Sequence, residues 1–201
     1  AIDDAPMSYA NGTPLHNYDN KYRGFTSIRT GIIHSINVVA VKTLTDIGTG
    51  LGLQYAQDLG ITTLENTDNN QALALGGITY GVKNIDLTAA YATIANAGKY
   101  NRPVFYTKVV DNLGNVILDT TDDTPKEVLK PSTAWLLTSA MRDVMTMGTG
   151  TPANFSGMTV AGKSGTTTAN RDTVFAGFHG PPIGNNINTP RMNPSPVQLI
   201  K

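Results

Sequence analysis

Between Thr26 and Gly60 the apolar positions recur at helical spacing. Ile28, Ile32 and Ile33 share a face and predict a helix from about Thr26 to His34. Ser35-Ile36-Asn37 interrupts that pattern. It resumes at Val38, predicting a second helix to Ile47, closed by Gly48, and a third from Leu51 to Leu59, ended by Gly60. The segment 71–82 carries Gly76, Gly77 and Gly81 and is expected to be loop. A further helix is expected through Asn96, capped by Asn84 or Asp86 and stopped at Gly98. Its buried face is Leu87, Ala90, Tyr91 and Ile94, and Ala89, Ala92 and Ala95 permit close packing.

The pattern then turns strand-like. Val104 to Val110 and Asn115 to Leu118 predict a β-hairpin about Asp111-Asn112-Leu113-Gly114. Ser132 is the expected cap of a long amphipathic helix to about Met147, with Trp135, Leu136, Ala140, Met141 and Val144 on its apolar side. Met158 to Lys163 and Thr173 to Phe178 predict two strands joined by a Thr/Asn-rich turn. Residues 1–24 are polar and turn-rich and are expected to lie as an ordered loop on a larger body. The Pro/Asn-rich tail, residues 179–201, has no periodicity and is assigned no structure. Helices first, then a strand pair, a helix and strands predict an α+β fold, a helical subdomain beside an antiparallel sheet.

The chain's 201 residues are 40% hydrophobic and 15% charged, enough to bury a substantial core. Fifteen basic residues balance fifteen acidic ones. The absence of a basic excess disfavours nucleic acid and polybasic membrane binding. Cysteine is absent, which excludes thiol nucleophiles, Cys-ligated zinc, iron–sulfur clusters and disulfides. His16, His34 and His179 fall at no metal-ligand spacing, so no metal or other cofactor is expected. No apolar run reaches bilayer-spanning length. The N-terminus, Ala1-Ile2-Asp3-Asp4, is neither a signal peptide nor an initiator, and the chain reads as an excised piece of something longer.

Gly157-Met158-Thr159-Val160-Ala161-Gly162-Lys163-Ser164 fits GxxxxGK[ST]. A P-loop needs a strand before its first Gly and a helix N-terminus after the Lys, so that backbone N–H groups surround phosphates. Here loop precedes Gly157, and Gly165 with three threonines follows Ser164. Nucleotide binding is rejected on that context.

Two short pieces carry candidate chemistry: Ser35-Ile36-Asn37 and Lys163-Ser164-Gly165-Thr166. If extended, Ser35 and Asn37 present a hydroxyl and an amide on one side, and Ser164 and Thr166 share a strand face. Gly165 lets a ligand backbone approach, and Lys163 adds a cation. A proton-relaying hydroxyl, an amide clamp, a cation and two hydroxyl donors suit acyl transfer beside a substrate carboxylate. Taken alone, each piece also fits a plainer role, a turn with a helix N-cap and a solvated strand end.

Their surroundings narrow the choice. Asn17-Tyr18-Asp19 with Tyr22-Arg23-Gly24, Ile28-Arg29 leading into His34–Val41, and Leu73-Ala74-Leu75-Gly76-Gly77 with Gly81-Val82 occur in this order. Residues 89–98, Gly148-Thr149-Gly150-Thr151, residues 161–167 and Phe175-Ala176-Gly177-Phe178 follow. Over residues 1–178 the chain resembles the transpeptidase domain of bifunctional, class A penicillin-binding proteins. The resemblance implies the serine acyltransferase fold of penicillin-binding proteins and class A β-lactamases, in which SxxK, SxN and K[ST]G motifs meet in one cleft. It implies a D,D-transpeptidase that cross-links peptidoglycan through a serine acyl-enzyme with D-Ala-D-Ala stem peptides and binds β-lactam antibiotics. It places the chain on the extracytoplasmic face of the bacterial cell membrane, with the anchor outside these residues.

The resemblance also implies roles. Ser35 relays a proton toward the leaving amine, Asn37 holds the donor-peptide amide, and Lys163 sets the electrostatics near Ser35 and the substrate carboxylate. Ser164 and Thr166 bind that carboxylate, the Thr166 backbone N–H forms half the oxyanion hole, and Gly165 and Thr167 complete the substrate strand. The chain departs from the family in two places. None of its serines has a lysine three residues later, so SxxK is absent. The resemblance places SxxK before residue 1, together with a glycosyltransferase domain, and this chain alone is expected to be inactive. After Phe178 the sequence Gly180-Pro181-Pro182 does not continue the family's pattern. Residues 1–178 are thus expected to be a partial transpeptidase domain. A non-catalytic penicillin-binding or sensor domain on the same fold remains the alternative, and a β-lactamase fits the segment 89–98 less well.

Overall fold

The computed structural model describes residues 1–121, 124–167 and 173–180. The turn expected at 168–172 and residues 181–201 of the tail lie outside these residues.

The N-terminal segment is more ordered than a loop. Strands β1 (Ile2–Asp4), β2 (Met7–Ser8), β3 (Pro14–Leu15) and β4 (Gly24–Thr26) form nested antiparallel pairs, β1 with β4 and β2 with β3. A polar centre fixes them. Asp4 and Asn17 are buried, and the Asp4 carboxylate accepts from Asn17 Nδ2 at 2.7 Å and from the Arg23 backbone N–H at 3.0 Å. Because the partners are far apart in sequence, no local periodicity announces this arrangement.

Helix α1 (Ile28–Ile33) begins where the Ser27 hydroxyl accepts the Thr30 N–H. It ends in a left-handed turn at Ser35, φ +55°, after which the Ile36 N–H bonds back to Gly31 O at 2.9 Å. Helix α2 (Asn37–Ile47) starts at once, and Gly48 separates it from α3 (Thr49–Asp58). Val38 and Val41 bury against Leu15, with Met7, Tyr9 and Tyr22 around them, so the N-terminal strands cover one side of α2. Gly31 lets α1 close on α2: a Cβ there would lie 2.5 Å from Val39 Cγ1.

Within the segment expected to be loop, Gln71–Leu75 forms a 3-10 helix, started by Asn70 Oδ1 accepting the Ala72 N–H. Helix α4 (Asn84–Ala95) starts after Lys83, and neither Asn84 nor Asp86 caps it. Asp86 instead turns away to accept the Thr62 N–H and hydroxyl at 2.9 and 2.6 Å, tying the chain beyond α3 to α4. The helix ends as expected before Gly98, whose N–H bonds to Thr93 O.

Strands β5 (Lys99–Tyr100), β6 (Lys108–Val110), β7 (Val116–Asp119) and β8 (Lys126–Glu127) pair antiparallel, β5 with β8 and β6 with β7. The hairpin is therefore present, but its first strand begins at Lys108 and not at Val104. Helix α5 (Pro131–Met147) starts after Lys130, with Pro131 in its first turn, not at a Ser132 cap. Ala140, Met141 and Val144 are buried as expected, whereas Trp135 and Leu136 are each 57% exposed.

Strand β9 (Thr159–Thr166) pairs antiparallel with β10 (Thr173–Gly180), placing Gly162 opposite Gly177 and Lys163 opposite Ala176. A Cβ on Gly162 would run into the Phe175 ring. Ala161 and Phe178 bury with Ile94, Ala95 and Met141, so the hairpin packs on α4 and α5. The architecture is α+β, with a helical layer beside antiparallel strands. Lys163 lies inside β9, and the strand continues to Thr166. No helix N-terminus follows the lysine, so the GxxxxGK[ST] match is not a phosphate loop.

Candidate active site

The groove between α2 and β9 is built from two different kinds of support. On one side stands the turn 35–37. Ser35 adopts a left-handed conformation, uncommon for a residue with a side chain, because it closes α1 while Asn37 opens α2. The turn is thus not the extended segment that would present Ser35 and Asn37 as strand neighbours. Asn37 is the first residue of a helix, and its Nδ2 donates to His16 O at 2.9 Å.

On the other side stands β9, where Lys163 reaches across. Its Nζ donates to Ser35 Oγ at 2.8 Å and to Ser164 O at 2.7 Å. Burial pushes the Lys163 ammonium below the ordinary lysine value, because low-dielectric surroundings disfavour its charged form. The two hydrogen bonds compensate part of that cost. The Lys163 donation also occupies a Ser35 oxygen lone pair, so the hydroxyl proton points away from the cation.

The groove has a volume of about 1210 Å³, and Ser35, Asn37, Lys163, Ser164, Gly165, Thr166 and Thr167 all line it. The structure thus brings together every candidate residue, although Asn37 and Lys163 lie 126 positions apart. At Gly165 no atom lies within 4 Å of where a Cβ would stand, leaving an open approach to that stretch of β9. The remaining walls are apolar, with Ile32, Val39, Ala40 and Leu44 from the helices and Ala74 to Ile78 opposite.

The wall 72–78 is held by Asp68. Its carboxylate accepts the Glu65 N–H at 2.9 Å and the Thr79 N–H and hydroxyl at 2.9 and 2.7 Å. These donors, the Glu65 N–H foremost, hold the carboxyl below the usual carboxylate range.

One residue beside the groove was not among the candidates. Thr149 Oγ1 lies 3.0 Å from Ser164 Oγ, and the Thr149 N–H donates to Ile33 O at 3.2 Å. Thr149 therefore joins the end of α1 to β9. Gly148 before it packs so close to Ile33 O that a Cβ has no room. The flanking glycines of Gly148-Thr149-Gly150 were the available signal. Among the described residues no His, Asp or Glu cluster could hold a metal ion, and no helix is long and apolar enough to cross a membrane.

The profile of the penicillin binding protein transpeptidase domain matches residues 1–178. Penicillin-binding protein 1A of Clostridium acetobutylicum is 37% identical over 189 residues, an alignment covering 88% of this chain and 23% of that protein. Penicillin-binding protein 1F of Bacillus subtilis is 35% identical over 183 residues, covering 88% of this chain and 25% of that protein. The chain spans about a quarter of the length of these relatives. Among solved structures, penicillin-binding protein 1A of Haemophilus influenzae superposes with a TM-score of 0.73 at 21% identity, covering 89% of this chain and 32% of that one. The PonA1 protein of Mycobacterium tuberculosis, in complex with penicillin V, gives 0.72 at 26% identity, covering 88% of this chain and 50% of that one.

Proposed function

Because the chain belongs to the penicillin-binding protein transpeptidase domain family, we propose that residues 1–178 are part of a peptidoglycan D,D-transpeptidase domain and lack its nucleophile. The observation that carries the reading is the 2.8 Å hydrogen bond from Lys163 Nζ to Ser35 Oγ inside a groove lined by Ser164, Gly165 and Thr166.

In this reading a serine supplied from outside these residues attacks the penultimate carbonyl carbon of a D-Ala-D-Ala stem peptide. The peptide C–N bond breaks, the attacking serine's proton passes to the lysine three residues after it and restores the one that Ser35 gives up, terminal D-Ala leaves as an amine, and an ester to the serine remains. Ser35 is suited to hand a proton to the departing nitrogen, because its oxygen already accepts from Lys163 and its hydrogen is free to donate. The nearby cation stabilises the alkoxide-like Ser35 oxygen as the proton leaves. Asn37 positions the peptide amide. The Ser164 and Thr166 hydroxyls with Lys163 receive the terminal carboxylate, and Gly165 and Thr167 provide strand backbone beside it. An acceptor amine from a second stem peptide then attacks the ester carbonyl, the C–O bond to the serine breaks, and an amide cross-link forms while the amine's proton returns to the serine.

A β-lactam presents an amide and a carboxylate in a similar arrangement, which suits the same groove. The whole protein works at the outer face of the bacterial membrane, where peptidoglycan lies, and shares its chain with a glycosyltransferase domain. The test is release of D-Ala from a synthetic stem pentapeptide. The complete protein releases it and forms cross-linked dimer with added acceptor, whereas the 201-residue chain releases none. Penicillin binding without any D-Ala release by the complete protein would favour a sensor domain instead.

A further inference from the structure

The N-terminus of α2 has no cap of its own. Ile36 stands at the N-cap position and offers no side-chain acceptor. A residue 21 positions before Val38 fills the place. Asn17 Oδ1 accepts the Val38 N–H at 3.1 Å in a buried contact, while Asn17 Nδ2 donates to Lys21 O at 2.8 Å and to Asp4 Oδ1 at 2.7 Å. Asn17 is 3% exposed and Asp4 is fully buried. The other Asp4 oxygen accepts the Arg23 N–H at 3.0 Å, and Arg23 Nη1 lies 3.6 Å away. The neighbouring residue acts on the same turn, because His16 O accepts Asn37 Nδ2. Lys42 Nζ extends the grip by donating to Asp3 O at 2.6 Å.

We propose that Asn17 is a positioning residue for the acyl-transfer groove: it caps α2 from outside the helix, and buried Asp4 holds it there, so that Ser35 stays within reach of Lys163. The assignment rests on the transpeptidase reading above. Ser35 lies three residues before Val38 in a left-handed turn shared between two helices. Such a turn keeps its shape only while both helix ends are fixed. The α1 end is fixed by its own backbone, through the Ile36-to-Gly31 bond. The α2 end is fixed by Asn17. With the amide removed, the Val38 N–H and the Asp4 carboxylate lose partners together, and the first turn of α2 is released beside the groove. A displacement of about 1 Å at a reacting group can slow chemistry by about a hundredfold.

The test uses the complete protein and a fluorescent penicillin, following both the acylation rate and the final fraction labelled. Asn17→Ala is expected to label to the same final fraction about tenfold or more slowly. Asn17→Asp, which sets two carboxylates against each other, is expected to be slower still. The double variant Asp4→Asn/Asn17→Asp exchanges donor and acceptor across the contact while keeping an acceptor for the Val38 N–H. It is expected to recover part of the rate, the contact with Lys21 O staying unmade, which also keeps the test open should Asn17→Ala fail to fold. Three results would overturn the assignment: an unchanged rate in Asn17→Ala, a lower labelled fraction at an unchanged rate, or a double variant no faster than Asn17→Asp. The lower-fraction outcome marks a purely structural role. No labelling of the unsubstituted protein would instead overturn the transpeptidase reading, and this assignment with it.

Discussion

The two sides of the groove are supported in opposite ways. Strand β9 is held by its sequence neighbour: eight residues pair in continuous register with β10, and the hairpin packs on α4 and α5. The turn 35–37 is held from a distance, by Asn17 and His16 on one flank and by Lys163 on the other. A strand in a hairpin needs only alternation and a partner. A left-handed turn between two helices needs side chains from elsewhere to prevent it relaxing. The α2 side of the turn is thus set by Asn17 and His16, which lie outside β9 and β10.

The largest expected effect comes from removing the link between the two sides. Lys163→Ala in the complete protein is expected to slow acylation by about a hundredfold or more, the scale of losing one preorganised electrostatic group. The fold should stay intact, because β9 keeps its pairing with β10. Labelled-penicillin kinetics beside a thermal melt check both, and an unchanged rate would remove Lys163 from the mechanism.

The same link has a pH signature. Burial lowers the Lys163 value, so the ammonium loses its proton at lower pH than an ordinary lysine. Acylation should therefore fall as pH rises through that lowered value. Stability has the opposite sign: between the lowered folded value and the ordinary unfolded one, the unfolded chain binds more protons, so burial of this lysine becomes less costly as pH rises. A pH–rate profile against Lys163→Arg, which stays charged, checks it. The alkaline fall should move upward in the variant even if its overall rate is lower.

Gly31→Ala strains the turn side alone. The added methyl meets Val39 Cγ1, and α1 and α2 must part, at a cost of about 1–3 kcal/mol. Denaturant unfolding measures it, and Gly31→Ala/Val39→Ala should recover much of the loss. A smaller effect is expected at Arg29, whose guanidinium pairs with Asp143 at 2.6 Å and ties α1 to α5 on a partly exposed surface. Arg29→Ala should cost no more than about 1 kcal/mol and should weaken further in salt.

What could be read in the sequence follows the same division. β9 and β10, α2 and the buried side of α5 near Val144 follow from local periodicity, which needs only neighbours. The starts of α4 and α5, after Lys83 and Lys130, differ from the expected caps because neither N-cap side chain accepts a hydrogen bond there, and α5 opens on a proline instead. Helical spacing lists Trp135 and Leu136 with Ala140, Met141 and Val144, but these two stay exposed among the described residues. The nested strands of residues 1–26 were invisible because their anchor is the polar pair Asp4 and Asn17, and periodicity registers only apolar contacts. The candidate residues stand out through motifs and resemblance, not through apolar pattern. Thr149 escaped because its neighbours Ser164 and Ile33 meet it only in the folded chain.

The most direct measurement is peptide mapping of the adduct formed between the complete protein and labelled penicillin. The account predicts one penicilloyl ester on a serine outside the 201 residues, with a lysine three positions later, and no label on the isolated chain. A stable adduct on Ser35 or Ser164, in either protein, would contradict it, because those hydroxyls are assigned to proton relay and carboxylate binding and not to attack.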